Sequence, residues 1–353
     1  MPAPDIRHIP RDKLRHRFRT WMAGLKYLIA ISLLLSGVIG ARAGEAISLA
    51  LPIKCQVGAN CFVQNYVDHD ASDKVRDYSC GRRSYDGHDG TDIRIRNQEI
   101  QKQGVEVLAA APGRVIGVRN DMDDVSIRTA GKAAIAGKEC GNGALIRHDN
   151  DWATQYCHLA KGSVRLKAGD AVTTGQPIGL VGLSGDTEFF HLHFTVRYRG
   201  KAVDPFAYGA AEKSCGGGRS LWAASFAEQM QYRPREIIDF GFAALAPAME
   251  QIESGEVDKH PVTPGSDAFV AYVRAIGLQA GDQQSLAVQG PAGAFVTNNL
   301  PALDRDKAQF LVIAGKKRTE AAWPAGRYRA TYRVTRDGAE VLRKSFDIET
   351  RPR

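Results

Sequence analysis

The run "FFHLHFTVRY" (189–198) decides how this 353-residue chain is read. It has the composition of a β-strand, and side chains along a strand alternate faces, so His191 and His193 emerge together on one side. Alone the pair is weak evidence, since a single buried histidine is more often a hydrogen-bonded core residue than a ligand. Two further clusters change that. In "YDGHDGTDIRI" (85–95), His88 and Asp92 are four apart, and a strand also places i and i+4 on one face. In "TQYCHLA" (154–160), the same alternation puts His158 on the face of Tyr156 and turns Cys157 away, free to form a bridge behind the sheet.

Four histidines and an aspartate on strands of one sheet point to a metal site. Imidazole and carboxylate without thiolate suit Zn2+, and catalytic zinc commonly keeps three protein ligands and one open position. The chain has no HExxH helix to place a glutamate beside the metal, so histidines must carry the proton chemistry. Other polar residues read as structural: His148 at a strand end, Tyr156 as a packed strand tyrosine, Asp89 and Glu188 as solvated loop acids, and His69 as a surface residue.

Outward from these clusters the pattern is short β-like runs broken by Gly, Pro and Asp. "VEVLAAAPGRVIGVR" (105–119), "GALIRH" (143–148), "WATQYCHL" (152–159) and "QPIGLVG" (176–182) read as an antiparallel sheet rather than βαβ units. "GALIRH" and "WATQYCH" form a hairpin around Asp149-Asn150-Asp151, which brings Cys157 near Cys140. Cys55 and Cys61 close a local loop, and elimination pairs Cys80 with Cys215. Gly-turn-Val segments such as "KAGDAVTTGQPIGLVG" also occur in carrier domains with a modified lysine, but no such lysine motif is present. Residues 220–254 show helix-like apolar spacing interrupted at Pro234, and from "FVAYVRAIGL" (269–278) onward turns every eight to twelve residues fit an immunoglobulin-like sandwich.

The formal charge of +8 does not imply a nucleic-acid partner. Residues 1–43 hold eight Lys or Arg against two acids, which accounts for +6 of it, and the remaining chain is close to neutral. That basic start precedes an apolar core from Leu28 to Ile39 and the small-x-small triplet Ala41-Arg42-Ala43, the pattern of a signal peptide cut after Ala43. The alternative is an uncleaved anchor, although the core is shorter than the about 20 residues that span a bilayer. All six cysteines follow the expected cut, which agrees with an oxidising compartment: periplasm first, extracellular space second.

In the order and spacing of His88-x-x-x-Asp92, the "QYCHL" histidine and His191-x-His193, the chain resembles the lysostaphin-type (LytM-domain) zinc metallopeptidases that cut peptidoglycan peptides. The likeness runs from about Tyr85 to Pro205 and includes "HDGTDI", "VLAAAPGRVIGV", "GNGALIRHDN" and "HLHFTVRYRGKAVDP". It departs from the family at "SGDTEFFHLHF", where Glu188, Phe189 and Phe190 replace small residues and narrow the rim. The resemblance implies an antiparallel LytM-type sheet; with the short helices and immunoglobulin-like sandwich read from the spacing that follows it, the expected fold is mainly β. It implies His88, Asp92 and His193 as ligands of one zinc ion. His158 and His191 would then flank the attacking water, one as general base and both as donors to the developing oxyanion.

The expected order is a signal peptide over 1–43, a disulfide-containing flank over 44–84, the peptidase domain over 85–215, a helical linker over 216–258 and the sandwich over 259–353. The expected function is an exported zinc endopeptidase acting on peptidoglycan stems or cross-links, with the sandwich free to bind a protein partner or glycan. Two alternatives stand beside it: a catalytically silent LytM-like protein that binds murein or activates a hydrolase, and a peptidase for another exported peptide.

Overall fold

The computed structural model describes residues 46–211, 214 and 216–351. The expected signal segment and Cys215 lie outside the described residues. The first β part contains β1 (Cys61–Asn65), β2 (Thr91–Ile95), β3 (Glu106–Leu108), β4 (Gly113–Arg119), β5 (Asn142–Arg147), β6 (Trp152–Leu159), β7 (Ala171–Val172), β8 (Pro177–Leu180), β9 (His191–Tyr198) and β10 (Lys201–Val203). Its main sheet is antiparallel, in the order β1-β2-β9-β6-β5-β4-β7, with β10 folded back on β9; β3 and β8 pair separately. This confirms the mainly β, antiparallel expectation.

Alternation along β9 builds the sheet's two faces. Leu192, Phe194 and Val196 are buried in the core, while His191, His193, Thr195 and Arg197 line the opposite side. The β5–β6 hairpin turns through Asn150 and Asp151, both at positive φ, where short polar side chains are tolerated. The expected Cys140–Cys157 and Cys55–Cys61 disulfides are both present. Cys80 is also disulfide-bonded.

Residues 46–84 are not a separate flank. Leu49, Leu51, Ile53, Val57 and Val63 are buried in the same core as Phe194, and β1 extends the main sheet by pairing with β2.

The second β part begins earlier than the sequence led us to expect. The segment read as a helical linker contains a strand, β11 (Glu236–Ala243), followed by β12 (Ala268–Leu278), β13 (Gln283–Gly290), β14 (Gly293–Asn299), β15 (Lys307–Lys317), β16 (Gly326–Arg336) and β17 (Ala339–Thr350). Only α-helix Met249–Ser254 and two short 3-10 turns represent the expected helices there. Between Pro234 and Pro247 the run "EIIDFGFA" holds adjacent isoleucines and alternating phenylalanines, which favour a pleated strand once β12 is available to pair with it. The strands form two sheets, β11-β12-β15 and β14-β13-β16-β17, around a core that includes Phe269, Val273, Leu286, Tyr328 and Tyr332.

The described residues from 46 onward pack as one unit. Phe269, Ala271, Val273 and Ala275 of β12 enter the core between the two sheets, Tyr272 packs with Ile252 and Val257, and two residues meet the first β part: Ile276 packs with Phe62, and the buried Arg274 donates to the carbonyl of Arg96. Buried charges gather at this junction. Arg274 approaches Glu253 at 3.3 Å, and Arg94 donates to Gln64 at 2.8 Å and lies 3.9 Å from Glu253. Burial, with the neighbouring Arg274 charge, pushes the Arg94 guanidinium down to about 9. Burial likewise raises Asp239 to about 6.

Candidate metal centre

Strand register assembles the site. Asp92 on β2 stands opposite His193 on β9, and Cys157 on β6 stands opposite the same histidine. His88, on the loop before β2, reaches back over Asp92. The atoms His88 Nε2, Asp92 Oδ1 and His193 Nδ1 are mutually 3.2, 3.2 and 2.9 Å apart. Ligands at 2.0–2.1 Å in a tetrahedron lie roughly 3.3 Å from one another, so this spacing fits a zinc-sized cation. His158, His191 and His193 form a second, overlapping group.

The outer ring nitrogens are tied down. His88 Nδ1–H donates to the Tyr66 carbonyl at 2.7 Å, His158 Nδ1–H to the Ser184 carbonyl at 2.8 Å and His191 Nδ1–H to the Phe189 carbonyl at 2.9 Å. These bonds set the tautomer and leave each Nε2 lone pair aimed at the centre. Asp92 accepts from Asn65 Nδ2 at 2.9 Å through its other oxygen.

Electrostatics agree. Burial would raise the Asp92 carboxyl, but the charges of His88 and His191, with hydrogen bonds from His191 and His193, hold it well below its usual range. Burial drives the His158 imidazole well below its ordinary value, reinforced by His191 and His193. His193 is partly buried, which lowers it, yet Asp89 and Asp92 raise it to about 9. A buried anion among imidazoles thus demands a cation, either a proton on His193 or a metal.

His158 reaches the centre by a route that simple alternation misses. Tyr156 faces the core, where its hydroxyl accepts from the Ala110 N–H at 2.8 Å, and Cys157 with its disulfide lines the cleft. Strict period two would therefore bury His158 with Tyr156. A bulge opposite Asn142–Ala144 intervenes, with His158 at φ 64°, and rotates its ring back to the cleft. A left-handed non-glycine residue costs on the order of 1–3 kcal/mol, a strain characteristic of functional sites.

The surrounding cleft, about 530 Å³, is lined among others by Tyr85, Asp89, Gln155, Glu188, Phe189 and Arg197. Asp89 is no detached loop acid: it lies 3.3 Å from His193 Nε2 and accepts from Arg197 at 2.9 Å, and the hydrogen bond from His193 brings it down to about 2 despite partial burial. Glu188 is half-exposed and pairs with Arg128, as a rim acid would. His148 is structural, bonded to the Pro112 carbonyl and Thr154 Oγ1. His69 is not at the surface; its Nε2 meets Asp204 at 2.7 Å.

Sequence reasoning also missed a stack behind the site. The Arg94 guanidinium lies 4.6 Å over the Phe189 ring, which stacks at 4.5 Å on His191. The signal was available in part, since a charged residue inside the buried strand "TDIRI" needs a partner.

Gly90 is required by close approach. A Cβ there would sit 2.6 Å from the His193 ring. Gly90→Ala is expected to weaken zinc affinity about tenfold or more by displacing that ring, measured by competition with a chromophoric chelator.

Fold and site together define a β-sheet domain with a His/Asp cluster fit for a metal on its open face. Residues 86–205 match Peptidase family M23, and the chain carries a domain of that family there. Among relatives, outer membrane antigenic lipoprotein B of Haemophilus influenzae is 32% identical over 145 residues, covering 41% of this chain and 31% of its own. Murein hydrolase activator NlpD of Escherichia coli is 30% identical over 122 residues, covering 35% of this chain and 26% of its own. The match thus spans about a third or less of those relatives' lengths. A zinc-containing peptidase from Vibrio cholerae aligns at 27% identity with a TM-score of 0.26, covering 41% of this chain and 39% of that one.

Proposed function

We propose that this protein is an exported zinc endopeptidase that hydrolyses amide bonds in peptidoglycan stems or cross-links, with His88, Asp92 and His193 holding the metal. The observation that carries this reading is the set of ligand-atom spacings near 3 Å, with two further imidazoles, His158 and His191, directed at the same point. A zinc ion held there would polarise the scissile carbonyl and acidify water. His158 and His191, their Nδ1 atoms fixed by backbone carbonyls, present Nε2 to the cleft. One takes the proton from the attacking water and, now carrying Nε2–H, donates to the oxyanion; the other, its Nδ1–H held by a carbonyl, donates there only in its protonated form. Phe189, clamped between Arg94 and His191, holds the latter ring in place.

Three disulfide-bonded cysteine sites and lipoprotein relatives support export, with the periplasm as the compartment. The second β part, with sheets of three and four strands and β15 returning beside β12, is read as the immunoglobulin-like sandwich, now starting at β11. A second reading, a murein-binding activator of another hydrolase, draws on the name of the Escherichia coli relative. The intact cluster weighs against it.

The test uses the protein purified from an oxidising compartment. About one zinc per chain and release of soluble muropeptides from sacculi, followed by mass spectrometry, is the expected result. Zinc without release, even with added candidate hydrolases absent, would transfer the case to the activator reading.

A further inference from the structure

The open face of the main sheet continues past the cleft, and its side chains are set by register. Ala153 on β6 is flanked by Arg197 on β9 and Arg147 on β5, and Arg147 stands opposite Arg114 on β4. The intervening core positions, Ile146, Thr154 and Val196, are buried, so all three arginines project from the face that carries His193. Arg197 lines the cleft itself. Along β9 it is four residues from His193, about 13 Å at the usual rise of a strand. From Arg197 to Arg114 the row crosses three strand spacings, about 14 Å.

The charges in this row are not balanced. Arg197 meets Asp89 at 2.9 Å. Arg114 makes one bond, to the Gly169 carbonyl at 2.5 Å, and among the described residues neither Arg114 nor Arg147 has a carboxylate within 4 Å. Like charges directly opposite across two strands are unfavourable. The floor of this row is low where Ala153 stands between Arg147 and Arg197.

We propose that Arg114 and Arg147, continuing from Arg197, form a carboxylate-binding extension of the substrate groove, which takes an acidic peptide whose reacting bond lies at the histidines. Guanidinium groups pair with carboxylates through paired hydrogen bonds, and an occupant bearing two carboxylates would relieve the opposed charges. The inference rests on the peptidase reading for the orientation of its occupant, and it names the class of substrate: stem peptides with free carboxylates.

The test is co-sedimentation of the full chain with sacculi in the presence of a chelator, so that binding is read without turnover. Wild type is compared with the double variant Arg114→Gln/Arg147→Gln, on untreated sacculi and on sacculi whose carboxylates have been amidated. Both side chains are exposed, and circular dichroism checks that the fold is kept. Two exposed ion pairs predict about five- to thirtyfold weaker binding of the variant. Amidation should weaken wild type by a similar factor and leave the variant unchanged. Equal binding of variant and wild type to untreated sacculi, or no binding by wild type, overturns the proposal. A loss in the variant with no effect of amidation also overturns it, since it would point to phosphate rather than carboxylate. Muropeptide release with zinc present is scored separately: carboxylate-dependent binding without release leaves the subsite standing and removes the peptidase reading.

Discussion

His193→Ala is expected to abolish both zinc binding and muropeptide release, whereas His191→Ala keeps the zinc and loses turnover by about 10²–10⁴-fold. The contrast follows from where two neighbouring ring atoms lie. His193 Nδ1 is 2.9 Å from Asp92 Oδ1 and 3.2 Å from His88 Nε2, and His193 is the residue shared by both three-ligand groups among the described residues. Removing it leaves two ligands and a buried carboxylate that has lost its nearest partner. His191 faces Asp92 at 3.3 Å through Nε2, but its Nδ1 is committed to the Phe189 carbonyl, and its role is to move a proton and stabilise charge. Metal analysis and single-turnover release, run on both variants, separate the two roles. Equal zinc loss in both would make His191 a ligand and overturn the assignment of His158 and His191 as the proton-handling pair.

The residues of this site were legible because strand periodicity is rigid. His191, His193 and Asp92 were placed on one face by period two alone, and the structure puts them there. His158 was included for a reason that fails: alternation would have sent it to the core with Tyr156, and the bulge with its left-handed backbone turns it to the cleft. A bulge depends on how two strands meet, which one strand's sequence does not specify. Asp89, Arg94 and Phe189 were missed for the same kind of cause, since a loop and a packing partner more than 200 residues away fix their contacts. The run at 236–243 was misread because Ile237, Ile238, Phe240 and Phe242 satisfy helical and strand spacing alike over so short a length; pairing with β12 decides it. The 46–84 segment gave no periodic signal because its apolar residues complete a core built mainly by later strands.

The second large effect is at the junction of the two β parts. Glu253→Ala is expected to destabilise the protein by about 3 kcal/mol, because it strands two buried arginines that share this carboxylate. Arg274 is fully buried and 3.3 Å from Glu253, and Arg94 is buried at 3.9 Å; without Glu253 their mutual repulsion is left to Asp239, which stands opposite Arg274 on β11 and is itself raised by burial. The helix Met249–Ser254, which carries Glu253, lies in the segment joining β11 to β12, so the second β part supplies this charge to the sheet of the first. Denaturant unfolding followed by tryptophan fluorescence measures the loss. The double variant Glu253→Met/Arg274→Met gives the decisive comparison: it removes the repulsion between the two arginines and is expected to recover part of the loss, while Arg94 stays without this carboxylate. If Glu253→Ala lies within about 0.5 kcal/mol of wild type, the arginines are solvated and the junction is held by Phe62, Ile238 and Ile276 instead. If the expected loss is found, activity should fall with it even below the unfolding transition. Arg94 is the group that carries the perturbation, since it sits between Glu253 and the Phe189 ring stacked on His191. The sandwich would then act on catalysis without touching substrate, by keeping one guanidinium in place behind one imidazole.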